Sequence, residues 1–131
     1  MKQEFACYTT HDASLEVELL FLDLGPSEGW RAYILSDINY KRYDPHRSTA
    51  CYDTHCLYDT SQSSPDPDRD LCYICWTAPI RDLNQAKTLA AFWCEITARY
   101  IRSGGAFSDI QEQLLRRPNS TERQELSCFI P

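Results

Sequence analysis

Cys51, His55, Cys56, Cys72 and Cys75 crowd into 25 residues of the chain. Their spacing, Cys51-x4-Cys56 and then Cys72-x2-Cys75 after 15 residues, matches in number and distance a two-knuckle zinc template. His55 could replace one thiolate. A zinc knuckle must curl so that both sulfurs of a pair reach one ion, and it does so with glycine or another turn residue close by. Neither pair has one. Cys72-Tyr73-Ile74-Cys75-Trp76 is aromatic and β-branched, which favours an extended strand. In a strand, residues three apart point to opposite faces, so Cys72 and Cys75 would diverge. The residues thus favour buried, packing thiols over a metal site. A zinc-stabilised binding module with Cys51, Cys56, Cys72 and Cys75 as ligands stands as an alternative.

Other chemistries find less support. A cysteine nucleophile needs a base, a cation or a helix N-terminus to lower its pKa, and no local pattern pairs a thiol with His11, His46 or His55. Glu16 and Glu18 share a strand face with room for Asp53, but a charged solvent face explains them as well as a catalytic pair does. A small cysteine- or carboxylate-dependent enzyme is therefore a further alternative. Asp66-Pro67-Asp68-Arg69-Asp70 resembles the start of a calcium loop, yet Leu71 and Thr77 stand where glycine and glutamate are required. The four glycines, at 25, 29, 104 and 105, form no phosphate-binding loop, and no serine elbow occurs. Asn119-Ser120-Thr121 reads as a chance sequon. No cofactor is expected.

The elements that must position these residues read as strands first and helices after. Leu15, Val17, Leu19 and Phe21 alternate with Glu16 and Glu18, the period of a half-buried strand. The wet face turns apolar at Leu20 and Leu22, which predicts cover on both sides there. Gly25 to Gly29 is a turn, and Trp30 to Leu35 is a second strand, so a hairpin follows. Residues 4–8 form a short strand. ACYDTHCLYDT reads as a strand with Cys51, Asp53 and His55 on one face and Tyr52, Thr54 and Cys56 on the other. Residues 61–70 form a loop, and residues 71–77 a strand with Cys72, Ile74 and Trp76 on one side.

The strongest periodicity predicts a helix over Leu83–Ser103. Asp82 caps it with Gln85 three residues on, Ala86, Leu89, Ala90, Trp93, Ile96, Thr97, Tyr100 and Ile101 form its apolar stripe, and Gly104-Gly105 stops it. A shorter helix, capped by Ser108 and ended by Pro118, follows, then a short strand over residues 126–130. The expectation is a single α+β domain over residues 1–131: an antiparallel sheet of about four to five strands with one long helix across it, plus a short second helix. Trp30, Tyr33 and Leu35 leave apolar groups that one helix would not cover, so a homodimer is possible.

Composition narrows the function. The chain has 131 residues, 43% hydrophobic and 24% charged, which is enough for its own core. The net charge is −6, and residues 1–80 carry 13 acidic against 6 basic side chains. Direct nucleic-acid binding is disfavoured, whereas a partner with a basic surface is favoured. The chain shows no membrane-spanning run and no apolar leader, so a cytoplasmic protein with reduced cysteines is expected. The leading expectation is a small non-enzymatic interaction protein. Its acidic, Tyr/Asp-rich surface would be built from Tyr40, Tyr43, Asp44, Tyr52, Asp53, Tyr58 and Asp59 and would bind another protein. A concrete form is an inhibitor, of the kind phages and mobile elements deploy against host defence, that occupies a basic nucleic-acid channel.

Overall fold

A computed structural model of the chain describes residues 2–61 and 64–115. The chain forms β1 (Gln3–Thr9), β2 (Glu16–Asp23), β3 (Trp30–Ile34), α1 (Cys51–Thr54), β4 (Cys56–Tyr58), β5 (Cys72–Ile74), α2 (Leu83–Ser103) and α3 (Phe107–Leu115). The strands make one antiparallel sheet in the order β1-β2-β3-β5-β4. This is the expected α+β architecture.

One face of the sheet packs on α2. Val17, Leu19 and Phe21 from β2, with Trp30, Ala32 and Ile34 from β3, meet Leu89, Trp93, Ile96 and Tyr100 in a single cluster. Each fully buried large side chain of this kind contributes about 1.5–3 kcal/mol. The helix begins as its sequence predicts: the Asp82 side chain accepts a hydrogen bond from the Gln85 amide. It ends at Gly104, φ 73°, whose amide donates to the Tyr100 carbonyl. All eight residues of the expected stripe are buried. Trp30 belongs to this covered face, not to the uncovered one expected for it, because its neighbour in register is Asp23 and its side chain joins the α2 cluster.

Leu20, Leu22, Tyr33 and Leu71 form a second cluster on the face away from α2, as the apolar turn of β2 predicted. The cover comes from the segment leading into β5, not from a helix. Leu71 packs in, and Arg31 lies over the Tyr73 ring at 4.0 Å.

Residues 51–55 depart from the expected strand, whereas Cys56–Tyr58 keep it as β4. Asp53 and Thr54 amides both donate to the Ala50 carbonyl, which makes a single helical turn over Cys51–Thr54. His55 then takes φ 52°, a left-handed conformation that ends the turn and aims the chain into β4. Strand alternation across 51–55 therefore does not hold. In the second helix, Phe107 is already helical, so Ser108 lies inside α3 and not at its cap. The expected end at Pro118 and the strand over residues 126–130 lie outside the described residues.

Candidate interaction surface

The two edges of the sheet differ. β4 has three residues, too short to template another strand, and shortness is one way natural edges avoid pairing. β1 has seven residues, QEFACYT, and among the described strands it pairs only with β2. Its opposite side presents backbone N–H and C=O groups that no described strand uses. It has no proline, no bulge in its continuous register with β2, and no lysine within the strand. Its one acid, Glu4, is on the helix side and pairs with Lys87.

On the face away from α2, one apolar row crosses all five strands. Phe5 lies opposite Leu20, Leu20 opposite Tyr33, Tyr33 opposite Tyr73 and Tyr73 opposite Leu57. The middle of the row is sealed, and the two ends are not: Phe5 is 63% exposed and Leu57 47%. Beside Phe5 the row gives way to acid. Cys7 is opposite Glu18 and Thr9 opposite Glu16, and both glutamates are exposed. The Cys7 thiol donates to Glu16 Oε1 at 3.2 Å. That hydrogen bond, with the negative charge of both glutamates, pushes the thiol pKa up, so Cys7 is a poor nucleophile. The β1–β2 corner thus combines an unprotected edge, an aromatic anchor and two carboxylates.

The residues expected to form the binding surface are dispersed. Asp59 is a correction: it is 7% exposed, with Oδ2 accepting from the Tyr33 hydroxyl at 2.6 Å and Oδ1 from Ser61 Oγ at 2.6 Å, and Arg31 3.6 Å away. Burial alone would push its pKa up; the hydrogen bonds from Ser61 and Tyr33 and the Arg31 charge outweigh it and hold the carboxylate below its ordinary value. Asp59 is thus a structural acid. Asp44 pairs with Arg47 at 3.3 Å and accepts from the His46 amide, which makes it a turn residue. Arg47 in turn donates to the Ile101 carbonyl at the end of α2 and pins the 36–50 segment there. Asp53 is exposed and accepts from Ser48 Oγ. Tyr43 is exposed, with Arg42 over its ring. Tyr40 is half-buried against Tyr100, and Tyr58 is 54% exposed. Tyr40 and Tyr58 come together on one cleft, and Tyr43, Asp44, Asp53 and Asp59 do not line it. The side chains of Tyr52 and Cys51 lie outside the described set.

The cysteine expectation resolves in part. Cys56 and Cys75 are buried, Cys72 is half-buried, and none is in a disulfide. Cys72, Ile74 and Trp76 all join the α2-side cluster, as their alternation predicted. Among the described residues no group of three His, Cys, Asp or Glu side chains is placed to hold a metal ion. Cys94 is fully buried in α2, where burial pushes its thiol far above the usual value.

One constellation was not legible in sequence. Glu95 Oε2 accepts from the Tyr8 hydroxyl at 2.5 Å and from the His11 amide at 3.1 Å, with His11 Nε2 3.9 Å away. Tyr8 and His11 lie 87 and 84 positions from Glu95, so only the fold unites them. Burial, and then the Glu95 hydrogen bond and charge, push the Tyr8 pKa up. Tyr8 is thereby held protonated, which suits a clasp between β1 and α2 better than proton transfer.

Comparison of the chain with protein-family models, curated proteins and solved structures finds no match.

Proposed function

We propose that the chain is a protein-binding module that takes an extended, basic segment of another protein along the edge of β1. The observation that carries this reading is the seven-residue edge, unpaired by any described strand on its outer side and without proline, bulge or lysine, next to the exposed Phe5 ring. Strand addition supplies affinity through main-chain hydrogen bonds, and alternate side-chain sites supply selectivity. Here an incoming strand would continue the β1 face pattern. Apolar side chains would lie beside Phe5, and Lys or Arg beside Cys7 and Thr9 would reach across β1 toward Glu18 and Glu16. The net charge of −6 favours a basic partner and opposes nucleic acid. No helix among the described residues is long and apolar enough to cross a membrane.

A partner whose basic surface normally holds nucleic acid fits the same chemistry, and occupation of that surface would make the module an inhibitor. Self-association is the competing occupant, because β1 could pair with β1 of a second copy.

A random-peptide display library panned on the full chain tests the proposal. Enriched peptides should alternate apolar residues with Lys or Arg, and their retention should fall as salt rises. Enrichment of acidic or proline-rich peptides would overturn it. So would a stable dimer in sedimentation that Phe5→Lys converts to monomer, because the edge would then be filled by a second copy.

A further inference from the structure

On the far side of the sheet from β1, a cleft of about 260 Å3 opens where β3 and β4 end and β5 begins. Ligand pockets for drug-sized molecules run from about 300 to 1,000 Å3, so this one suits a single side chain or a molecule of that size. Its floor is the buried Ile34, Cys56 and Leu71, each under 9% exposed, with Thr54, whose hydroxyl is engaged by the Ala50 carbonyl. Tyr40 and Tyr58 line it as well. Tyr40 is braced edge-on by Tyr100, with ring centres 6.3 Å apart, so that wall is preformed. Tyr58 is more than half exposed and stands at the mouth.

The charges around the mouth are Asp37, Asp70 and Arg69. Arg69 turns its Nη2 to the Leu35 carbonyl at 3.0 Å. The two carboxylates are exposed, and neither is engaged by a basic side chain among the described residues. The mouth therefore carries a net negative charge over aromatic walls and a largely apolar floor. An anion would meet two carboxylates there. A neutral apolar ligand would fill the floor and gain nothing from the rim. A flat cation on an alkyl stem satisfies all three layers: the stem on Ile34 and Leu71, the charge over a tyrosine face, and the hydrogen bonds to carboxylate.

We propose that this cleft binds an alkylguanidinium or alkylammonium group. The source is either a small free amine or an Arg or Lys side chain displayed on a protein. The site is separate from the β1 edge and stands or falls without it.

An NMR titration of the full chain with n-butylguanidinium and with its neutral isostere n-butylurea tests the proposal. The guanidinium should shift the Tyr40, Tyr58, Cys56 and Cys72 resonances saturably, and the urea should not. Asp37→Asn with Asp70→Asn should weaken binding about tenfold. Tyr58→Ala, at an exposed position that leaves the core intact, should weaken it about threefold. Phe5→Lys should leave it unchanged. Agmatine and a blocked Gly-Arg-Gly peptide then separate the sources: tighter binding of agmatine indicates a free amine, and equal or tighter binding of the peptide indicates a displayed side chain. Equal binding of urea and guanidinium, or no saturable shift with the guanidinium, would overturn the proposal and leave the β1 edge untouched.

Discussion

The Tyr33 hydroxyl donates to Asp59 Oδ2 across 2.6 Å, in the buried centre of the sheet face away from α2. Arg31 completes the arrangement, donating to the same hydroxyl at 3.2 Å and lying 3.6 Å from the carboxylate. A polar knot thus joins β3 to the residue that follows β4 and closes the second face.

Asp59→Ala would leave the buried Tyr33 hydroxyl without its acceptor and remove the carboxylate beside the Arg31 guanidinium. The expected loss is about 3 kcal/mol in denaturant unfolding, and Asp59→Asn should lose less. The titration follows the same knot. The Asp59 pKa lies below its unfolded value, so its contribution is present above about pH 4 and is lost as pH falls through the folded value. Burial first, and then the Asp59 hydrogen bond, push Tyr33 up to about 12. Its contribution is complete below its unfolded value near 10 and is lost as pH rises through about 12.

His55 gives a separate acid limb. It is 9% exposed, its Nδ1 has no hydrogen-bond partner among the described residues, and its ring lies 4.9 Å from Phe107. Burial lowers its pKa, so protonation favours the unfolded chain. Stability should be full above about pH 6.5 and should fall as pH drops below it. Asn tolerates the left-handed backbone at φ 52° and does not titrate. His55→Asn should therefore flatten the stability profile between neutral pH and the carboxylate range. Parallel profiles would show that His55 is not the source.

Trp93 Nε1 donates to the Thr54 carbonyl at 2.9 Å, which ties the single turn of α1 to the middle of α2. Trp93→Phe keeps most of the ring and leaves that buried carbonyl without its donor. Thermal or urea unfolding should show a loss of about 2–3 kcal/mol.

Much of this architecture is legible in the amino-acid sequence, and the parts that are not share one cause. α2, its Asp82 cap and the β2–β3 turn are written in local periodicity and local capping, which the chain obeys. Leu20 and Leu22 break the polar alternation of β2, and that break announced the second cluster. Residues 51–59 misled because their polarity suggested solvent. Their polar groups instead serve inward contacts, Asp59 to Tyr33 and the Thr54 carbonyl to Trp93, as does the Ser48 carbonyl just before them to Tyr100. No single-residue propensity reports such distant partners. The β1 edge was equally hidden, because a strand's place in the sheet depends on strand order, and strand order is set by the whole fold.

Thiol chemistry discriminates the remaining alternatives. Cys7 is exposed but raised in pKa, and Cys94 is fully buried. Alkylation of the native chain at neutral pH should therefore modify Cys7 slowly and Cys94 only after unfolding. A thiol that reacts faster than free cysteine would revive the enzyme reading. The melting temperature should not change with a strong chelator; a large loss would restore zinc at Cys51, Cys56, Cys72 and Cys75.

The most direct test of the β1 edge is the affinity of one selected basic peptide for the wild-type chain and for Phe5→Lys. Phe5 is 63% exposed, so the substitution should leave the melting temperature within the small range of surface changes. It places a repelling charge at the centre of the edge, the guard that β1 lacks. The account predicts a loss of affinity of more than about tenfold without loss of fold. Equal affinity of the two proteins would show that partners bind elsewhere and would contradict the account.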